Sequence, residues 1–140
     1  MRAEPFRYWL PAILWAAVIL SFSGEGGGSG TTAGWLVLLF GDLRPDALFY
    51  IHYTLRKGAH VVAYAILGAL NLRAIRGGRP GRRPICVVAA VLLATAVAAI
   101  DELHQATSAT RTGSLADIGF DFCGAVLGVM LIRKSRPDPE

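Results

Sequence analysis

Four long apolar runs, separated by short polar connections, dominate the sequence and leave few folds open to it. The runs lie at residues 8–22, 58–75, 84–100 and 115–132. Each is slightly shorter than the roughly 20 residues that carry a helix across a bilayer core, but flanking Arg and Trp side chains at the interface make short spans tolerable. Charged residues make up only 17% of the chain, whereas a soluble domain carries about 25%. We therefore predict an all-α integral membrane bundle of four transmembrane helices.

The connections are short, and we treat residues 1–140 as a single membrane domain. Residues 24–34 are rich in glycine and predict a flexible extracytoplasmic connector. Pro45 and Asp46 are typical of the first turn of a helix, so residues 47–56 predict an interfacial or re-entrant helix that leads into the second span. The first run also has the basic start and small residues of a signal peptide, an alternative that leaves the remaining topology unchanged.

Basic residues are concentrated on one side of the predicted bundle. With four spans, that side carries ten of the fourteen Lys and Arg residues: Arg2, Arg7, Arg73, Arg76, Arg79, Arg82, Arg83, Arg133, Lys134 and Arg136. Because cytoplasmic loops carry an excess of Lys and Arg, we predict that the N-terminus and the C-terminal tail, residues 133–140, are cytoplasmic. The basic clusters flank apolar runs and lack interleaved aromatic residues, so we predict membrane lipids as partners and no nucleic acid.

Ionisable residues converge on the opposite, extracytoplasmic side, where three of the predicted spans meet the water boundary. On the second and fourth spans the residues concerned lie three or four positions apart, which places them on one face of each helix. On the third span Asp101 and Gln105 are one turn apart. The residues are Lys57, His60, Tyr64 and Gly68 on the second span, Asp101, Glu102 and Gln105 on the third, and Asp117, Asp121, Gly124 and Gly128 on the fourth. Together with Arg111 in the last connection, they predict a polar extracytoplasmic pocket.

Several of these residues also have an ordinary structural interpretation. Asp117 follows Ser114 by three positions, the spacing of a capping box before an apolar run. Asp101 and Glu102 could form a solvated helix end, and His60 could be a hydrogen-bonded packing residue. The set favours a site more strongly than any member does, because ionisable residues inside a membrane are costly and generally functional.

Asp121 lies one helical turn deeper than Asp117 and cannot cap the helix. An isolated charge at that depth costs on the order of several kcal/mol, so we expect its carboxylate to be paired or protonated, with Arg111, Lys57 or His60 as the partner. The Gly124-x-x-x-Gly128 spacing predicts close packing against another helix.

Three blocks of the sequence resemble the VanZ-like family, which is named for a teicoplanin-resistance protein. The blocks are RKGAHVVAYAILG at residues 56–68, DELHQ at 101–105 and RTGSLADIGFDFCGAVLG at 111–128. The family pattern matches Lys57, His60, Tyr64, Asp101, Glu102, Gln105, Arg111, Asp117, Gly124 and Gly128. Asp121 departs from it, because the family usually has Asn there. The resemblance covers residues 56–132 and implies a small protein of helical hairpins in the bacterial cytoplasmic membrane, linked to the cell envelope.

Two functions are compatible with the predicted pocket. In the first, Lys57 and Arg111 bind the phosphate of an anionic lipid head group or of a cell-wall precursor lipid. The remaining ligand-binding residues are then Tyr64, Gln105, Asp117 and Asp121, and the resemblance links such a protein to glycopeptide (teicoplanin) resistance. In the second, Glu102 or Asp101 is the general base of an intramembrane enzyme and His60 is its acid or orienting group. The sequence leaves open whether the chain is an enzyme.

The sequence predicts no cofactor and no metal ligand, because it has neither an HExxH motif nor paired histidines. A divalent metal held by His60, Glu102 and Asp117 is the alternative, since carboxylate oxygens suit Mg²⁺ or Mn²⁺ and a histidine admits Zn²⁺. A proton-coupled transporter ranks third, because four short helices leave little room for alternating access.

Overall fold

The structure, a computed structural model, describes residues 6–23, 29–77, 83–107 and 114–135. Over these ranges the chain forms five helices and no strand: α1 (Phe6–Ser23), α2 (Ser29–Phe40), α3 (Pro45–Arg76), α4 (Pro84–Ala106) and α5 (Leu115–Ser135). The all-α prediction is confirmed. Arg111 lies outside the described residues. So do Arg79 and Arg82 of the predicted arginine-rich connection, whose other members are Arg73, Arg76 and Arg83.

Three helices are long and apolar enough to cross a membrane: Pro45–Arg76, Pro84–Ala106 and Leu115–Ile132. In the apolar stretch of each helix at most 33% of the residues are buried. Large side chains such as Ile85 and Leu92 point outward. An apolar outer surface of this extent is what a lipid environment requires. The apolar part of α1, Phe6–Phe22, is shorter, so the fourth span stays a prediction.

The longest helix, α3, joins two predicted segments into one. It begins with Pro45 in its first turn and Asp46 beside it, where a missing N–H and a negative charge are both favourable. It then continues for 32 residues, about 48 Å at the usual rise per residue. The helix ends at Gly77, whose φ of 57° is left-handed and whose N–H bonds to Ala74 O, a geometry that favours glycine.

A short helix, α2, lies between the first apolar run and α3, where no helix was predicted. The predicted interfacial or re-entrant helix, residues 47–56, is the first part of α3. Helix α2 begins at Ser29, so it takes up the second half of the glycine-rich stretch 24–34. Its apolar side chains Trp35, Leu38 and Leu39 are largely exposed, whereas Leu36 is buried. Whether residues 47–56 lie at a membrane interface or re-enter the bilayer stays a prediction.

Helices α3 and α5 run parallel, because α4 returns the chain between them. Their backbones approach each other closely at glycines. A Cβ added to Gly124 would overlap the backbone of Val61, one added to Gly128 would overlap that of Ala65, and one added to Gly68 would lie 2.6 Å from the carbonyl oxygen of Ala125. The predicted close packing at Gly124 and Gly128 is therefore confirmed.

The core lies mainly between α3, α4 and α5, and α1 packs against its side. Small residues of α4 fill it, with Ala90, Ala94 and Ala98 fully buried, which lets the three helices close around one another. The indole Nε1 of Trp15 in α1 donates a hydrogen bond to Ala63 O at 2.9 Å. The buried apolar residues form two clusters, and the one that contains Tyr64 and Ala98 reaches the layer of ionisable residues.

Candidate functional site

The last turns of α4 and the first turns of α5 meet the middle of α3 in a group of ionisable and polar residues. We call this group the polar cluster. It consists of Arg56, Lys57, His60 and Tyr64 of α3, Asp101, Glu102 and Gln105 of α4, and Asp117 and Asp121 of α5. Eight of its members, and Ser114 next to it, take part in side-chain hydrogen bonds or ion pairs that join all three helices.

Two side-chain contacts, one turn apart, connect α3 to α5. The ammonium of Lys57 contacts the Asp117 carboxylate, and Nδ1 of His60 lies 3.2 Å from Oδ1 of Asp121. Both contacts follow from the packing of α3 against α5. Because the helices are parallel and their facing residues recur at similar spacing, a contact at one turn is followed by another at the next turn. The expectation that Asp121 has a partner is met by His60.

On α4, a chain of hydrogen bonds runs from Asp101 through Gln105 to Arg56 of α3. Oδ2 of Asp101 accepts a hydrogen bond from Nε2 of Gln105 at 3.2 Å, one turn along the same helix. Gln105 in turn accepts a bond from the Arg56 guanidinium at 3.4 Å through Oε1. The apolar run of α4 therefore ends in polar residues because they face α3 and α5 inside the bundle. Asp101 and Glu102 do not form a solvated helix end, since both are buried.

Glu102 also caps α5. Its Oε2 accepts a hydrogen bond from the backbone N–H of Ser114 at 2.7 Å, while the Ser114 hydroxyl accepts one from the N–H of Ala116 at 3.2 Å. In a capping box the residue three positions after the cap would take the first of these bonds. Here a residue of α4 takes it, and Asp117 pairs with Lys57 instead.

Buried acceptor atoms without a partner characterise the centre of the cluster. Asp121 is 0% exposed and Asp101 is 1% exposed. Among the described residues, Oδ2 of Asp121, Oδ1 of Asp101, Oε1 of Glu102 and the Tyr64 hydroxyl have no hydrogen-bond partner. Burying such atoms unpaired is costly, so the cluster can accept a cation or a group that donates hydrogen bonds.

The structure brings eight of the nine predicted site residues together. Lys57, His60, Tyr64, Asp101, Glu102, Gln105, Asp117 and Asp121 all belong to the polar cluster, and the ninth, Arg111, lies outside the described residues. His104, also on α4, is exposed. The ring of His60 stacks on that of Tyr64, with centroids 6.4 Å apart.

Sequence reasoning missed two participants, Arg56 and Ser114. Arg56 precedes Lys57 directly, and only the packing shows that its side chain reaches α4. Ser114 was noted as a cap, but its N–H was not foreseen as the partner of Glu102. The signal in the sequence that could have indicated Arg56 is its position directly before the predicted site residue Lys57.

Three potential metal ligands lie close together in the cluster. His60, Asp101 and Asp121 each offer one ligand atom, and these atoms lie within 4.8 Å of one another. The alternative set considered from the sequence, His60 with Glu102 and Asp117, is not the set that the described residues bring together. Oε2 of Glu102 accepts the Ser114 N–H, and Asp117 pairs with Lys57 instead.

A family model described as VanZ/LLP1 matches residues 8–135. The chain belongs to this family. The match includes α1 and α2, so it extends well beyond the part from residue 56 onward that carried the resemblance in the sequence. No curated protein and no solved structure matches the chain. Membership of the VanZ/LLP1 family, with three helices long and apolar enough to span a bilayer, makes this a membrane protein.

Proposed function

We propose that this VanZ/LLP1 protein binds the phosphate-bearing head group of an envelope lipid, either a membrane phospholipid or a cell-wall precursor, at its polar cluster. The observation that carries this proposal is the convergence of Arg56, Lys57 and buried carboxylates from three helices at one end of the bundle. A polar cluster beside an apolar core suits a lipid, which has a polar head group and apolar chains.

The cations and the carboxylates of the polar cluster have different roles in this proposal. Arg56 and Lys57, with Arg111 from the last connection, supply the positive charge that a phosphate requires, Arg through a bidentate fork and Lys as a point charge. The unpartnered oxygens of Asp101, Glu102 and Asp121 accept hydrogen bonds from sugar hydroxyl or amine groups of the same head group. Tyr64 and Gln105 line the space between them.

The proposed setting is the bacterial cytoplasmic membrane. Four spans, with α1 as the first, place both termini and the arginine-rich connection in the cytoplasm and the polar cluster at the outer leaflet. Cell-wall precursor lipids expose their head groups there, so an effect on glycopeptide (teicoplanin) sensitivity is the phenotype that we propose to examine.

Binding to defined lipids tests this function directly. Full-length protein in nanodiscs of phosphatidylcholine is titrated with phosphatidylglycerol or undecaprenyl phosphate, and complexes are counted by native mass spectrometry. We expect Arg111→Ala and Lys57→Ala to weaken binding at least about tenfold, since a charged hydrogen bond contributes about 1.5–3 kcal/mol. Arg44→Ala is the matched control, because Arg44 is exposed and lies outside the cluster. Unchanged binding in Arg111→Ala would reject head-group binding.

An acid/base or metal-dependent enzyme acting on an envelope lipid is the second candidate. It is favoured by the unpartnered carboxylate oxygens of Asp101 and Glu102, and by a carboxylate oxygen of Asp101 within 4.8 Å of a ring nitrogen of His60, since a general base needs a free acceptor within reach of its proton. Release of phosphate or a sugar from the bound lipid would distinguish an enzyme from a binding protein. Glu102→Gln should then abolish turnover and leave lipid binding in place.

A further inference from the structure

We infer that His60, Asp101 and Asp121 form a binding site for a divalent cation. The metal site itself stands apart from head-group binding; only the further step, that the bound ion contacts the lipid phosphate, rests on the proposed function.

The first observation is the geometry of the donor atoms. The three residues come from three different helices and offer one imidazole nitrogen and two carboxylate oxygens within 4.8 Å of one another. Two ligands of one small divalent ion lie at most about 4.4 Å apart, because each bond is about 2.0–2.2 Å long. Small side-chain movements are therefore sufficient to close the three atoms around an ion.

The second observation is that two of the three side chains are buried and incompletely bonded. Asp121 and Asp101 are 0% and 1% exposed, and one carboxylate oxygen of each lacks a hydrogen-bond partner within the described part of the chain. A cation satisfies both oxygens at once.

The charges of the cluster point the same way. It holds four carboxylates, Asp101, Glu102, Asp117 and Asp121, against the two permanent cations Arg56 and Lys57. Lys57 is already paired with Asp117, and Arg56 bonds to the neutral Gln105. Within the described residues, His60 contacts Asp121 and no Lys or Arg pairs with Asp101, Glu102 or Asp121. One divalent ion would offset the negative charge of these carboxylates.

The donor set indicates which ions fit. Ca²⁺ takes six to eight oxygen ligands, more than this group offers, whereas a mixed set of imidazole and carboxylate suits Mn²⁺ or Zn²⁺. Three protein ligands leave coordination positions open, as in catalytic rather than structural metal sites. A phosphate oxygen of a bound lipid is the ligand that those open positions would take under the proposed function.

Metal titration of the full-length protein tests this site. Protein in phosphatidylcholine nanodiscs is stripped with EDTA, then titrated with Mn²⁺, followed by electron paramagnetic resonance, and with Zn²⁺ against a chromophoric chelator. We expect saturation at one ion per chain. His60→Ala and Asp101→Asn should lower the affinity at least about tenfold, because even loss of an outer-shell partner costs 10–100-fold.

The matched controls are His104→Ala and Asp46→Asn, which remove an exposed histidine and an exposed carboxylate of the same chain and should bind as the original protein does. Electron spin-echo measurement of bound Mn²⁺ gives a readout independent of any variant, since it detects the imidazole nitrogen directly. Absence of a saturable ion, absence of nitrogen coupling, or equal losses in His60→Ala and His104→Ala would each overturn the inference.

Repeating the lipid titration with and without EDTA separates this inference from the proposed function. Metal uptake by a protein that binds neither phosphatidylglycerol nor undecaprenyl phosphate overturns head-group binding and leaves the metal site standing. Lipid binding that is equal in EDTA, by a protein that takes up no ion, overturns the metal site and leaves head-group binding standing.

Discussion

Glu102 shows how one side chain can hold two helices in place. Its carboxylate accepts the N–H of Ser114, the bond that a residue within α5 would make in a capping box. Asp117 is thereby free to pair with Lys57 of α3. One residue of α4 thus sets the start of α5 and, through it, the contact between α5 and α3.

The pair between Lys57 and Asp117 yields a prediction at the scale of residues. Both side chains are mostly buried, with 17% and 16% exposed, so removing one partner leaves an uncompensated charge. We expect Lys57→Met and Asp117→Asn each to lower the free energy of unfolding by about 1–3 kcal/mol. The double variant should be more stable than the sum of the two losses implies, by about 0.5–3 kcal/mol. Reversible unfolding in mixed micelles measures all three.

The control for this cycle is the exposed pair between Arg44 and Asp46, with 85% and 58% of the side chains exposed. Asp46→Asn should change stability by less than about 1 kcal/mol. Strictly additive losses in the Lys57 and Asp117 variants would show that the two side chains do not interact.

Close packing of α3 and α5 gives a prediction at the scale of elements. A Cβ at Gly128 would overlap the backbone of Ala65, whereas one at Gly119, in the same helix, meets nothing within 4 Å. We expect Gly128→Ala to destabilise the protein by about 1–3 kcal/mol, the usual cost of overpacking. Gly119→Ala should be neutral or stabilising by up to about 1 kcal/mol, because alanine favours a helix.

The same unfolding experiment measures both variants. Since the helices must separate in Gly128→Ala, the distance between Lys57 and Asp117 should increase, and binding at the polar cluster should fall in parallel with stability. Equal stability of Gly128→Ala and Gly119→Ala would contradict the close approach of the two helices.

At the scale of the whole molecule, the number of spans decides which side of the membrane the polar cluster faces. A cysteine-free background, Cys86→Ala with Cys123→Ala, allows single cysteines to be placed at Ala3, Gly78 and Ser108. With four spans we expect a membrane-impermeant maleimide to label Ser108→Cys in intact spheroplasts. Ala3→Cys and Gly78→Cys should react only after permeabilisation, because the basic side faces the cytoplasm.

Labelling of Ala3→Cys from outside together with Ser108→Cys would mean that α1 does not cross, leaving three spans. Labelling of Gly78→Cys from outside would invert the bundle and place the polar cluster on the cytoplasmic side. The pattern therefore settles the role of α1 and the orientation of the site separately.

Helical periodicity predicted much of this arrangement. The spacing of Lys57 and His60, and that of Asp117 and Asp121, placed each pair on one helical face, and the glycines of α5 indicated a close helix contact. The run of α3 from Pro45 through Arg76 was predicted as two connected segments. Helix α2 was not predicted, because its glycine-rich beginning is typical of a connector.

By itself the sequence determined the helical class, the apolar segments and the residues that line each helical face, because these depend on local composition and on a fixed helical repeat. Only the tertiary structure decided which faces meet and in what register. The pairing of His60 with Asp121, the reach of Arg56 to Gln105 and the bond from Ser114 to Glu102 span 61, 49 and 12 positions. Such pairings depend on the register between packed helices. Side-chain volume at contacts such as Gly128 controls that register, and no local sequence pattern encodes it.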